Sequence, residues 1–144
     1  MLYHVDVEKI ERHLQYIEAQ LPILNLLSDS KGVNLNEPVI RLAAERLLHL
    51  LAEAITDVSS LVIDGFMLRD PGSYRDMVEI LAQEGAFSAA YGERLGELVA
   101  FRSRLVRNYL DVTVQELEQA LRLAGQIALS FPSYIRSFLA EELF

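Results

Sequence analysis

Cysteine is absent from the 144-residue sequence. Without thiols the chain can form neither a disulfide framework nor a zinc–thiolate site, and a catalytic cysteine is excluded. There is also no apolar run of roughly 18 residues, the length that a membrane-spanning helix needs. The first residues carry charges where a signal peptide would have an apolar segment. We therefore expect a cytoplasmic protein that does not enter a membrane.

The sequence likewise lacks a glycine-rich phosphate loop, the residue order of a Ser-His-Asp triad and a dinucleotide-binding fingerprint. Gly92 and Gly96 lie in a helical pattern and do not follow a strand. His49 stands four residues from both Glu45 and Glu53, a spacing that could hold a divalent ion. Such a row is more often a solvated helix face. We expect neither a metal ion nor a cofactor.

Positive charge is scarce, and the formal net charge of the chain is −8. Non-specific binding to nucleic acid depends on clustered Lys and Arg, so this charge opposes it. The densest cluster of arginines lies in the segment 101–110, which contains Arg102, Arg104 and Arg107. A helix end that favours cations would have the same composition. Any contact with RNA must therefore be local to this segment.

Apolar residues are abundant, at 51% of the chain, which is enough for a core without help from a metal or disulfides. The length is that of one ordinary domain, so we expect residues 1–144 to form a single domain. The mean hydropathy of +0.19 is a surplus for a small acidic chain. This surplus suggests that another subunit covers part of the apolar surface.

Apolar residues recur three and four positions apart, and no stretch shows sustained alternation with period two. The pattern predicts an all-α protein, an up-and-down bundle of four to five main helices. The first helix should start after Asp6, and residues 28–36 should form a loop. The second helix, with Asn36 as its cap and Pro38 in its first turn, should run to Gly65. It is apolar on more than half of its circumference, so it should be the central helix.

Cap signals predict the helices of the second half of the chain. Ser73 and Ser88 are the expected caps of two helices, the second of which should end near Asp111. The segment Thr113–Glu116 has the spacing of a capping box and should start another helix. Pro132 should stop that helix, and a short amphipathic helix should complete the chain.

Arg102 and Tyr109 are seven positions apart, so on a continuous helix they would be nearly eclipsed and lie in an apolar line of leucines. A cation in such a line has two explanations. The side chain could pack its methylenes on the core and send its guanidinium to water or to a carboxylate, for which Glu53 and Asp57 are candidates. Alternatively, a guanidinium fork beside a phenol could form an anion site that suits phosphate.

The segment 101–110 resembles the Arg-x4-His-x-Tyr motif of the HepT-like branch of the HEPN superfamily. Arg102 and Tyr109 match the motif, whereas Arg107 stands where the family has histidine. The segments Asp64–Phe66 and Arg69–Tyr74 also resemble the YutE-like bacterial members of that family. The likeness therefore extends over nearly the whole chain.

The resemblance implies a HEPN-like helical fold, a homodimer with the motif near its interface, and metal-independent RNA cleavage by the toxin of a toxin–antitoxin pair. In the family, the arginine holds the scissile phosphate and the histidine moves a proton at the attacking 2′-hydroxyl. A small nucleotidyltransferase antitoxin adenylylates the tyrosine. Arg102, Arg107 and Tyr109 are therefore the candidate catalytic residues, and Tyr109 is also the candidate site of AMP attachment.

The arginine at position 107 leaves the activity open. An arginine neither gives nor takes a proton near neutral pH, so Arg107 cannot replace the histidine in proton transfer. The alternative to a ribonuclease is a non-catalytic dimer that binds RNA or a nucleotide at a local basic cleft, or that serves as a scaffold.

Overall fold

The computed structural model describes residues 3–29 and 32–143, so Ser30 and Lys31 of the predicted loop 28–36 lie outside the described residues. These two ranges contain no strand, and the all-α prediction is confirmed. No helix within them is long and apolar enough to cross a bilayer. The elements are α1 (Val7–Ser28), α2 (Pro38–Gly65), α3 (Tyr74–Gln83), α4 (Ala89–Arg107), a 3-10 helix (Tyr109–Asp111), α5 (Val114–Ile127) and α6 (Ser130–Leu143).

Side-chain caps fix the starts of four helices where the sequence predicts them. Asp6, Ser73, Ser88 and Thr113 each accept a hydrogen bond, at 3.0–3.1 Å, from the backbone N–H three residues later. At α5 the bond is reciprocated, because the Glu116 carboxylate accepts from the Thr113 backbone N–H at 3.1 Å. Each cap satisfies an amide that the helix itself leaves without a partner, which is worth about 1 kcal/mol.

The start of α2 differs from the prediction. Glu37, and not Asn36, caps this helix. The Glu37 carboxylate accepts from the backbone N–H groups of Val39 and Ile40 at 3.2 and 3.0 Å. A carboxylate here satisfies two free amides and also places its negative charge at the positive end of the helix dipole.

As predicted, α2 is the central helix, and it packs against α1, α3, α4 and α5. Its two fully buried hydroxyls are satisfied within the helix itself. Thr56 donates to the Ala52 carbonyl at 3.0 Å, and Ser59 donates to the Ile55 carbonyl at 2.8 Å. Burying these hydroxyls therefore leaves no polar atom without a partner.

Pro132 does not stop a helix, contrary to the prediction. Helix α5 already ends at Ile127, and α6 begins at Ser130, so Pro132 lies in the first turn of α6. A proline is tolerated there because the N–H that it lacks would have no partner within the helix. Phe131 and Pro132 are both buried, so this turn contributes to the core.

Helices α3 and α4 approach each other closely, and glycines permit this. A Cβ atom on Gly92 would lie 2.9 Å from Cβ of Ala82 on α3, closer than side chains normally approach. A Cβ atom on Gly96 would lie 3.0 Å from Cγ of Arg75. The Arg75 side chain therefore crosses α4 at Gly96, which brings the start of α3 against the second half of α4.

Candidate functional site

Arg102 on α4 is held between α2 and α3. Its Nε donates a hydrogen bond to Glu53 on α2, and its guanidinium carbon lies 4.7 Å from the centre of the Tyr74 ring at the start of α3. Glu53 is thus the partner, while the other candidate, Asp57, lies 3.7 Å from His13. The ion pair and the cation–π contact together fix the plane of the Arg102 guanidinium.

The surroundings of Arg102 agree with the first of the two explanations from the sequence. The side chain is 21% exposed, so its methylenes pack into the bundle as the first explanation requires. Nε is engaged, but the two terminal nitrogens of Arg102 donate to no described residue. These nitrogens are therefore free to bind an anion.

The Glu-His-Glu row is part of the same polar network. His49 Nε2 lies 3.6 Å from the Glu53 carboxylate, and His49 Nδ1 lies 3.3 Å from the Arg46 guanidinium. Within residues 3–29 and 32–143, no group of three or more His, Asp or Glu side chains is placed to hold a metal ion. His49 therefore lies next to Glu53, the carboxylate that accepts from Arg102.

A cleft of about 260 Å³ opens beside Arg102, between the start of α3 and the second half of α4. We call it the arginine cleft, because three of its lining residues are arginines and none is acidic. Its lining consists of Ser73, Tyr74, Arg75, Val99, Ala100, Arg102, Ser103 and Arg107. Three cations around one concave surface create a local positive potential in a chain whose net charge is −8.

Two of these arginines have no internal partner. Neither Arg75 nor Arg107 forms a hydrogen bond or ion pair with any residue that the structure describes. Among the described arginines, Arg12 on α1 is the one other without a partner. Acidic residues outnumber basic ones by 21 to 13, and yet these two guanidinium groups have no carboxylate partner and are available to an external anion.

Tyr109 lies outside α4, which corrects the prediction that the helix continues to Asp111. The helix ends at Arg107, because Asn108 leaves the helical conformation at φ −123° and ψ 36°. Tyr109 then begins the 3-10 helix, and its side chain is 63% exposed. The phenol is therefore not in the apolar line with Arg102, and it is not among the residues that line the cleft.

Arg104 anchors the segment that carries Tyr109. Its guanidinium donates to the Asp111 carbonyl at 3.0 Å and to the Glu116 carboxylate at 2.8 and 3.0 Å. The hydrogen bond from Arg104, together with the one from the Thr113 backbone, lowers the pKa of Glu116 to about 2. The ends of the segment are thus fixed while the Tyr109 side chain remains accessible.

Exposed aliphatic side chains flank the same region. The Arg41 guanidinium donates to the Val112 carbonyl and so joins the start of α2 to the segment after α4. Both segments carry exposed apolar groups, with exposures between 42% and 85%: Val39, Leu42, Val106 and Leu110. We call these four residues the apolar rim. Apolar groups of this size near a polar site are typical of a surface that another chain covers.

Sequence reasoning selected Arg102, Arg107 and Tyr109 but missed Tyr74 and Arg75. The structure brings Arg102 and Arg107 together in the cleft, whereas Tyr109 is not part of its lining. The sequence contained a signal for the close approach of another helix to α4, but none for Arg75 itself. Gly92 and Gly96 are four residues apart and lie on one face of α4, a spacing that indicates a neighbouring helix at close approach.

Residues 14–125 match the family model described as "Ribonuclease HepT-like". The protein named "Putative RNase YutE" from Bacillus subtilis (strain 168) is 40% identical over 143 residues, which is 99% of this chain and 95% of that protein. The chain belongs to the HepT-like family.

Solved structures show the same HepT-like fold. The structure of YutE from Bacillus subtilis, described as a cytosolic protein of unknown function, is 37% identical with a TM-score of 0.87, over 99% of this chain and 96% of that one. A toxin–antitoxin structure with AMP-PNP is 16% identical, with a TM-score of 0.80 over 89% and 97% of the two chains. The tri-AMPylated HEPN toxin of Shewanella oneidensis, in complex with MNT antitoxin, is 17% identical, with a TM-score of 0.78 over 89% and 96%. The predicted HEPN-like fold is confirmed.

Proposed function

We propose that this HepT-like protein is the toxin-type member of a toxin–antitoxin pair and binds RNA through its phosphates in the arginine cleft. The observation that carries the proposal is the placement of Arg102 and Arg107 in one cleft whose lining includes no carboxylate. Guanidinium forks bind phosphate oxygens in pairs, and the two arginines present such forks from adjacent turns of α4.

The two arginines have different roles in this proposal. Arg102 holds the scissile phosphate, because Glu53 and Tyr74 fix its guanidinium before RNA arrives. Arg107 adds a phosphate contact but cannot move the proton of the attacking 2′-hydroxyl. We therefore expect firm phosphate binding and feeble metal-independent cleavage.

Tyr109 is the proposed acceptor of AMP from a minimal nucleotidyltransferase partner. Tyr109 is 63% exposed and lies two residues after the end of α4, so an enzyme can reach its phenol. The structurally similar HEPN toxin that is tri-AMPylated and bound to an MNT antitoxin supports this assignment. An attached AMP would place a phosphodiester beside Arg107 and occupy the cleft, which would exclude RNA.

A homodimer of single-domain chains completes the proposal. All six helices contribute to one hydrophobic core cluster, which supports one HepT-like domain over residues 1–144. The apolar rim lies at the motif end of α4 and suits a second copy of the chain. Sedimentation at micromolar concentration tests this assembly, and a monomer at that concentration would contradict it.

A second candidate function is a non-catalytic dimer that binds RNA or nucleotides, or that acts as a scaffold. Arg107 in the histidine position favours this function, because the cleft then has arginines that can bind phosphate but no histidine that could transfer a proton. In this case the arginine cleft still binds RNA or nucleotides but does not cleave RNA.

One pair of assays separates these functions. Binding of a labelled RNA is measured for the wild type, Arg102→Ala and the control Arg12→Ala, whose arginine is also unpaired but lies on α1. Cleavage of the same RNA is followed in EDTA. Loss of binding in Arg102→Ala alone supports the RNA site, and measurable cleavage by the wild type then distinguishes the ribonuclease from the binding protein. Equal binding by all three proteins would refute the site.

A further inference from the structure

We infer that the arginine cleft takes a short single-stranded RNA segment with more than one phosphate, and that Arg75 on α3 makes the last of these phosphate contacts. The inference rests on the proposed function of the cleft. It adds a binding residue from another helix and fixes the class of ligand as a phosphodiester chain instead of a single nucleotide.

The three arginines meet α4 at different heights, Arg75 by contact from α3 and the other two as residues of α4. Nε of Arg75 lies 3.1 Å from the position that a Cβ of Gly96 would take, so the first nitrogen of the guanidinium group lies over this glycine. Gly96 precedes Arg102 by six residues, about 9 Å along the helix axis, and Arg107 follows Arg102 after about another 7.5 Å. These backbone positions thus span about 16.5 Å along α4, a length that suits a chain of phosphates lying along the helix better than a single phosphate group.

The absence of an internal partner makes Arg75 available. Arg75 is exposed and forms no ion pair with the described part of the chain, although carboxylates are plentiful on this protein. Gly96 provides the space in which the Arg75 side chain crosses α4, so the position of this side chain depends on the glycine. A guanidinium fixed along its stem and unpaired at its tip is well placed for a phosphodiester.

Acidic residues limit how far a bound RNA backbone can extend beyond Arg75. Beyond Arg75, a second groove of about 510 Å³ continues between α3 and the start of α4. Its lining includes Glu79 and Glu93, and Arg75 is shared between the two grooves. Carboxylates repel phosphates, so the RNA backbone should run from Arg107 to Arg75 and not continue into the second groove. Affinity should therefore stop rising once the RNA spans the three arginines.

The test is a length series of 2′-O-methyl oligouridylates, which have no free 2′-hydroxyl and cannot be cleaved. Fluorescence anisotropy measures binding from uridine monophosphate up to about ten nucleotides, at several salt concentrations. For a single strand, the slope of log K against log salt changes by about 0.7 for each phosphate contact. We compare Arg75→Gln with Arg12→Gln, which removes an equally unpaired arginine from α1.

We expect Arg75→Gln to reduce the salt slope by about 0.7 for the longer oligomers and to leave the affinity for uridine monophosphate unchanged. Arg12→Gln should bind the whole series like the wild type. Arg75→Lys, which keeps the charge and loses the fork, should recover most of the slope. The double variant Glu79→Gln/Glu93→Gln should extend the rise in affinity to longer oligomers. Melting temperatures confirm that each variant is folded.

The experiment distinguishes a failure of the Arg75 inference from a failure of the proposed RNA site. If Arg75→Gln binds every oligomer like the wild type while Arg102→Ala does not, the role of Arg75 is wrong and the proposed RNA site stands. If Arg75→Gln and Arg12→Gln lose affinity equally, only the net charge matters, and the inference is refuted. If the wild type binds no member of the series, the proposed function fails together with the inference.

Discussion

Glu53 on α2 accepts a hydrogen bond from Nε of Arg102 on α4, across 49 positions of sequence. Tyr74 covers one face of the same guanidinium at 4.7 Å. Three helices thus converge on one side chain, and the bond aligns it before any ligand is present. Orientation that is fixed in advance does not have to be established when the proposed phosphate ligand binds.

Replacing Glu53 by Ala should weaken RNA binding although it removes a negative charge from the neighbourhood of the site. The loss of charge alone would raise the affinity, so a decrease reports the loss of orientation of Arg102. We also expect the free energy of unfolding to fall by about 1 kcal/mol, since the pair is only partly exposed. Urea denaturation and anisotropy measure the two effects.

The matched control is Glu118→Ala, because the Glu118 side chain is 44% exposed and lies 4.0 Å from Arg122. It should change the stability by no more than a few tenths of a kcal/mol. A gain of RNA affinity in Glu53→Ala would show that Glu53 acts through its charge and does not position Arg102.

Replacing Arg107 by His should raise the rate of RNA cleavage in EDTA above that of the wild type. A well-placed proton-transfer group contributes about 10²–10⁴-fold, and position 107 lines the cleft that also contains Arg102. The double variant Arg102→Ala/Arg107→His should lose this gain. Robust cleavage by the unmodified wild type would contradict the expectation, because another group would then have to supply the proton step.

Co-expression with a minimal nucleotidyltransferase of the proposed antitoxin class should add AMP to the wild type and not to Tyr109→Phe, as measured by mass spectrometry of the intact protein. The phenylalanine keeps the ring and removes the accepting oxygen. Tyr16→Phe on α1 is the matched control, since Tyr16 is also exposed, at 38%. AMP that persists in Tyr109→Phe would assign the modification to a different residue.

Acid should destabilise the protein partly through Glu116. The folded-state pKa of this carboxyl is lowered to about 2 from a usual value of 4.5, chiefly by the hydrogen bond from Arg104. A lowered carboxyl pKa stabilises the fold above the unfolded pKa, and this stabilisation is lost as the pH falls from about 4.5 towards 2. Urea unfolding of the wild type should therefore show a decreasing free energy of unfolding across this range.

In Glu116→Gln this contribution to the pH dependence should disappear, while the glutamine can still complete the cap with Thr113. Glu118→Gln, two residues later on the same helix, should retain the wild-type pH dependence. Identical curves for the wild type and Glu116→Gln would show that the ion pair with Arg104 contributes nothing to acid stability.

The helices and most of their caps were predictable, because these features depend on neighbours in the sequence. Ser73, Ser88 and Thr113 all cap the helices that the spacing indicated. The errors at Asn108 and Pro132 arise where two signals compete. The apolar pattern continues through both positions, whereas the backbone at Asn108 leaves the helix and the proline ring is tolerated in a first turn.

The candidate site was only half predictable. Arg102 was recognisable from the sequence because a cation in an apolar line requires a partner. Glu53 was one of the two α2 carboxylates that the sequence offered as this partner. Arg75 did not stand out, because its importance depends on the distance between two helices. Only the packing at Gly96 shows that Arg75 reaches the same cleft.

The break at Asn108 gives the two halves of the motif separate supports. Arg102 and Arg107 line the cleft from α4, whereas Tyr109 belongs to the turn after this helix, which is held through Arg104 and not through either cleft arginine. A change that alters the chemistry of the cleft therefore leaves the presentation of the phenol intact, and the reverse is also true. Under the proposed function, a single substitution at position 107 can therefore change cleavage without changing how Tyr109 is presented to a nucleotidyltransferase.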